Sequence, residues 1–148
     1  MAQIRNEGTA KQAWRPRNES AADLANETQA AALITSNWSV SVVKLSERLY
    51  GLDWAFFRDG TLSGWGEYKK RDTRYQTLLL SAAKYISGMQ LAQWSGVPFV
   101  LFVEWPDGLF WYKCSNEPLP ILMSGNSRGQ NGDIEPCVHI DSSLFVKV

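Results

Sequence analysis

LDWAFFRDGTLSGWGEYKK, residues 52–70, is the stretch on which the fold turns. Two apolar-rich runs, Leu52 to Phe57 and Leu62 to Lys69, flank Arg58-Asp59-Gly60-Thr61. An Asp-Gly pair between such runs is a strong hairpin signal, because both residues tolerate the left-handed backbone of a tight turn. The spacing therefore predicts two antiparallel strands. A loop of Asp59 to Thr61 sets Asp53 directly across from Glu67. Lys69 shares the face of Glu67, because side chains alternate along a strand. A loop one residue shorter throws Asp53 onto the other face, unless a bulge restores the phase.

Opposed carboxylates repel and cost stability. A divalent cation between them removes that cost. Magnesium takes oxygen ligands and keeps several waters. A bound water of lowered pKa can attack a phosphodiester, and the cation neutralises charge on the phosphate. The ammonium of Lys69 can orient that water or stabilise developing charge. The plainer reading is two acids and a lysine on a wet face, joined by weak surface ion pairs. Asp…Glu-x-Lys spacings arise often by chance, so the context matters. Gly64 and Gly66 leave room for close approach. Lys70, Arg71 and Arg74 follow directly, a cationic run suited to a polyanion.

Working outward, Ser20 and Asp23 form a capping-box pattern that opens an Ala-rich helix over roughly 21–35. Leu24, Thr28, Ala31 and Ile34 make one stripe of it, and the acid Glu27 lies on the same stripe. Trp38 to Leu45 alternates and reads as a strand. Tyr75 to Trp94 reads as a second, longer helix, stopped by Gly96 and Pro98. FVLFVEW, residues 99–105, reads as a buried strand, and Leu109 to Lys113 as its return after Pro106-Asp107-Gly108. Residues 115–133 are rich in Pro, Gly, Asn and Ser and read as loop. Val138 to Ile140 and Leu144 to Val148 read as final short strands. Residues 1–19 are polar, with Arg5, Lys11, Arg15 and Arg17. They read as a flexible arm, with contact to a phosphate backbone as the alternative. Residues 20–148 then form a single domain.

The 148 residues carry 15 basic and 15 acidic side chains, so net charge neither indicates nor excludes nucleic acid. No apolar run approaches the ~20 residues that span a bilayer. The N-terminus lacks an apolar signal core, so a cytoplasmic location without membrane association is expected. Cys114, Cys137 and the lone His139 cannot build a four-ligand zinc site. Cys137 and His139 share a strand face without mutual contact, so a Cys-His nucleophile is the weaker reading beside a buried thiol. Of seven Trp, only Trp14 falls outside elements that bury aromatic rings.

Asp53, thirteen intervening residues and Glu67-Tyr68-Lys69 resemble the core motif of the PD-(D/E)XK nuclease superfamily. The element order over residues 20–105 is similar to its core, α-β-β-β-α-β. The resemblance implies an α/β, restriction-endonuclease-like fold, a mixed central sheet flanked by helices. It implies Mg²⁺, with Mn²⁺ able to substitute, bound by Asp53, Glu67 and the backbone carbonyl of Tyr68. Lys69 would be the catalytic lysine, and Glu27 the additional acid from the first helix, with Glu47 its rival. Lys70, Arg71, Arg74 and Lys84 would lie along the DNA. Leu52 stands where many members have proline. The Gln76 and Tyr85 spacing does not match the RecB-like branch; small phage-type or resolvase-like members are closer. The implied activity is endonucleolytic cleavage of duplex or branched DNA. A homodimer is compatible with cutting two strands, although no residue demonstrates one. The alternative is an inactive module of the same fold that binds DNA or a protein.

Overall fold

A computed structural model describes residues 20–45, 51–126 and 133–148. The arm expected over 1–19 and Glu47 lie outside the described residues. The first helix, α1 (Ala21–Trp38), opens with the expected capping box. The Asp23 N–H donates to Ser20 Oγ at 3.2 Å, and the Ser20 N–H donates to Asp23 Oδ2 at 2.8 Å. The helix runs further than expected because the Trp38 ring packs between Phe102 and Trp111 (centroids 5.2 and 5.3 Å). Ser39, at φ 53°, then ends it. Strand β1 (Ser41–Lys44) is correspondingly shorter than the expected run.

The central hairpin takes the second of the two registers the sequence allows. Strands β2 (Trp54–Arg58) and β3 (Thr61–Lys70) are joined by Asp59 and Gly60 alone, at φ 50° and 74°. These are the left-handed conformations of a type I′ turn. Arg58 faces Thr61 and Phe57 faces Leu62, but Phe56 faces Gly64, so Ser63 is bulged out. The bulge restores the phase. Trp54 pairs with Gly66, and Asp53, just before the strand, continues the register toward Glu67.

Strand β4 (Thr77–Ser81) corrects the long-helix reading. Helix α2 begins only at Ala82 and ends at Ser95. Leu78 and Leu80 are buried because β4 pairs with β8 (Asp133–Asp141), a partner more than fifty residues away that local propensity cannot reveal. Strand β7 (Ile121–Asn126) pairs with the other edge of β8, so part of the expected 115–133 loop is sheet. Strands β5 (Phe99–Trp105) and β6 (Gly108–Lys113) form the expected hairpin. A short 3-10 turn at Ser142–Leu144 precedes β9 (Val146–Lys147).

The strands make a six-stranded sheet, β1-β2-β3-β5-β6-β9, and a three-stranded sheet, β4-β8-β7. Among the described strands, only β3 and β5 pair in parallel. The crossover between them contains α2, as a parallel connection requires. Both faces of the large sheet are covered, so β5 is apolar almost throughout. Its Phe99, Leu101 and Val103 pack toward the small sheet and α2, with Leu78, Leu80, Val138 and Ile140. Its Val100 and Phe102 pack toward α1, with Ala30, Ile34, Trp54 and Phe56. On β3, Trp65 belongs to the α2 face and Tyr68 to the α1 face. Glu67 and Lys69 alternate with Tyr68 and so share the face of Trp65. Among the described residues, no helix is long and apolar enough to cross a membrane.

Candidate active site

The C-terminal half of β3 carries the polar cluster. Glu67 is wholly buried, opposite Leu101 of β5. Its Oε1 accepts from Lys69 Nζ at 2.9 Å and from Lys84 Nζ at 2.5 Å. Its Oε2 is buried with no hydrogen-bond partner. Asp53 lies across the hairpin, and its Oδ2 accepts the Tyr68 N–H at 2.9 Å. Burial holds the Glu67 carboxyl above its ordinary range. The Lys69 charge lowers it, Asp53 raises it and Lys84 lowers it, and burial outweighs the rest. Asp53, Glu67 and Lys69 are therefore brought together as the hairpin register requires, and Lys84 joins them.

Lys84 is the residue whose place the sequence hid. With α2 starting at Ala82, Lys84 stands in its first turn, where a cation opposes the helix dipole. The N-cap Ser81 makes no capping bond; its hydroxyl donates to Glu135 at 3.0 Å. The Glu67 carboxylate offsets this unfavourable placement.

The opposite face braces the strand. Tyr68 stacks on Trp54 (5.4 Å, 28°) and donates its hydroxyl to Glu104 at 2.5 Å. Burial first, then Glu104, pushes the phenol pKa well up. Tyr68 is thereby fixed from both sides, and so is the N–H that holds Asp53. Glu27 belongs to this brace and not to the cluster. Lys44 donates to both its oxygens at 2.6 Å, and Trp54 Nε1 donates to Oε1 at 2.7 Å. Helix α1 packs on the Trp54 face, so the sheet separates Glu27 from Glu67. The expectation of Glu27 beside the trio is corrected accordingly.

Asp53 immediately precedes β2, and Glu67 and Lys69 lie on β3, the positions of the Asp53…Glu67-Tyr68-Lys69 motif. The family described as "Phage putative PDDEXK endonuclease" matches residues 13–148. The chain belongs to this family. Among solved structures, the fold is similar to that of Archaeoglobus fulgidus Hjc, a Holliday junction resolvase from an archaeal hyperthermophile. The TM-score is 0.52 at 15% identity, covering 78% of this chain and 93% of that one. The fold is thus restriction-endonuclease-like. No curated protein matches the chain.

In this PDDEXK endonuclease the remaining expected cations divide. Lys70 and Arg71 are exposed at the end of β3. Lys70 Nζ donates to Asn26 Oδ1 at 3.0 Å and lies 3.5 Å from Glu104. Arg71 donates to the Lys70 carbonyl. Arg74 is occupied elsewhere: its guanidinium covers the Trp105 and Phe110 rings at 4.4 and 4.5 Å and donates to the Ser142 carbonyl. That stacking fastens the 3-10 turn to the sheet.

No group of three or more His, Cys, Asp or Glu suited to a metal occurs among the described residues. Magnesium does not require one, since one or two carboxylates, waters and substrate phosphates complete its shell. Asp53 and the unpartnered Glu67 Oε2 are hard oxygen donors of that kind, and they fit.

The thiols serve no such chemistry. His139 Nε2 pairs with Ser124 Oγ at 2.8 Å, while Cys137 Sγ donates to the Ser124 carbonyl. Burial pushes the Cys114 thiol up to about 12. Both cysteines are about 5% exposed. We expect the native protein to resist thiol-labelling reagents near neutral pH, and both thiols to react once denaturant is added. Rapid native labelling would contradict this packing.

Proposed function

We propose that this endonuclease hydrolyses phosphodiester bonds of DNA, duplex or branched, with magnesium as cofactor and manganese as a substitute. The observation that carries the reading is the buried, unpartnered Oε2 of Glu67, a residue whose register sets it across the hairpin from Asp53, with Lys69 on the same carboxylate. Asp53, Glu67 and the Tyr68 carbonyl would hold the cation. When bound, it supplies a water of lowered pKa and neutralises phosphate charge. Tyr68 fixes the Asp53 carboxylate through its N–H. Lys69 donates hydrogen bonds toward the attacking water and the charge that develops on the phosphate. Lys70 and Arg71, exposed at the end of β3, would meet the flanking backbone. The branched substrate of the Archaeoglobus resolvase makes a four-way junction a substrate to include.

The test is cleavage of supercoiled plasmid, linear duplex and a four-way junction with Mg²⁺, Mn²⁺ or chelator. We expect cation-dependent cleavage that falls by about 10²-fold or more in Asp53→Asn and in Lys69→Met. Cleavage that persists in chelator, or in both variants, would remove the mechanism. Binding without cleavage in the parent would favour a module that only holds DNA.

A further inference from the structure

We propose that Lys84 competes with the metal for Glu67, so that cation loading of the Asp53–Glu67 pair is coupled to the arrival of a phosphodiester. The inference rests on the metal reading above and adds a role for a side chain from a different element. Without metal, the Glu67 carboxylate has two ammoniums on one oxygen, Lys69 from its own strand and Lys84 from α2. Two carboxylates, Asp53 and Glu67, face two ammoniums, so these four groups are balanced. A dication added to them leaves a double positive excess around a carboxylate with no solvent exposure. The excess is relieved if one ammonium leaves and an anion enters.

Lys84 is the one able to leave. Its side chain is 35% exposed against 22% for Lys69, and it stands in the first turn of a helix where a cation is disfavoured. Displaced from Glu67, it remains beside the site, where a phosphate oxygen can take the place of the carboxylate. Lys84 is thus a positioning residue that stabilises the metal-free site and passes to the substrate when the site fills. Metal and DNA then bind cooperatively, because each relieves the charge imbalance caused by the other.

The experiment is calorimetric titration of Mn²⁺ into the metal-free full chain, alone and with a short phosphorothioate duplex. Lys84→Met keeps the length and removes the charge; Lys84→Gln is a second neutral variant, and Lys84→Arg keeps the cation. We expect the neutral variants to bind Mn²⁺ alone about tenfold more tightly than the parent, ~1.4 kcal/mol. The duplex should raise Mn²⁺ affinity strongly in the parent and in Lys84→Arg, and weakly in the neutral variants. A lysine with a purely structural role would not tighten metal binding when removed. Equal or weaker Mn²⁺ binding by both neutral variants, with parental circular dichroism, overturns the proposal. Glu67→Gln separates the two levels. If it binds Mn²⁺ as the parent does, the metal reading fails as well; if it binds none while Lys84→Met equals the parent, only the exchange fails.

Discussion

Glu67→Gln is expected to abolish cleavage, by about 10³-fold or more, while leaving the metal-free protein at least as heat-stable as the parent at about pH 8. The two effects have one cause. Glu67 is wholly buried, and burial raises its pKa against the lowering by Lys69 and Lys84. A carboxyl with a raised folded-state pKa contributes its stability below the unfolded value, ordinarily about 4.5. That contribution is lost as pH rises through the raised value. Glutamine does not titrate, so the melting temperature of the variant relative to the parent should climb as pH rises from about 4.5 through the raised value, and then level off. The counter-argument is that removing one partner of a buried ion pair is costly. It is weaker here because both lysine side chains are partly exposed and can turn to water. Added Mg²⁺ should raise the melting temperature of the parent and not of the variant. Thermal scans across pH with and without Mg²⁺ check all three statements. A variant that loses stability relative to the parent as pH rises would mean that the ion pairs outweigh burial.

The elements legible in the sequence are those whose signals are local. The Ser20–Asp23 box, the Asp59-Gly60 turn and the all-apolar FVLFVEW run each specify structure within a few residues, and each is found. The hairpin shows both the strength and the limit of such reading. Alternation required either a longer loop or a bulge to bring Asp53 and Glu67 together, and only coordinates distinguish the two. Residues 77–81 read as helix because their partner, Cys137 to Asp141, is remote. Strand β7 was obscured by the Pro, Gly and Asn around it, and Ile121, Leu122 and Met123 remain exposed even when paired.

The same rule separates the expected site residues that the fold brings together from the one it places elsewhere. Asp53, Glu67 and Lys69 are fixed by one hairpin and its register. Glu27 was placed by resemblance and by its position on an apolar stripe. An acid on such a stripe needs a buried partner, and it finds Lys44 and the Trp54 indole on the α1 side of the sheet. Lys84 was expected along the DNA, and its contact with Glu67 was missed because that depends on where α2 begins. With the start set at residue 75 it appears mid-helix and solvated; with the start at Ala82 it is a first-turn cation over a buried carboxylate.

Gly88→Val should be the most damaging single substitution away from the cluster, costing about 3 kcal/mol and roughly 6–12 °C in melting temperature. Gly88 is buried in α2 directly over Phe99 of β5. A Cβ at this position would stand 2.4 Å from Phe99 Cδ1 and Cε1 and 2.7 Å from Cγ. The ring has no solvent exposure and cannot simply rotate away. The helix must therefore rise off the sheet. Alanine tests the balance directly: it gains about 1 kcal/mol of helix propensity over glycine, yet meets the same ring, so it should still lose stability. Phe99→Leu should recover part of the loss in the double variant, a coupling that two independent sites would not show. The consequence reaches the site because Lys84 lies four residues earlier on the same helix face as Gly88. Raising α2 withdraws Lys84 from Glu67. Gly88→Ala should therefore share the tighter metal-only Mn²⁺ binding of Lys84→Met while keeping every charged group. If alanine instead raises the melting temperature, the Phe99 ring has yielded and the helix has not moved; Mn²⁺ affinity should then match the parent.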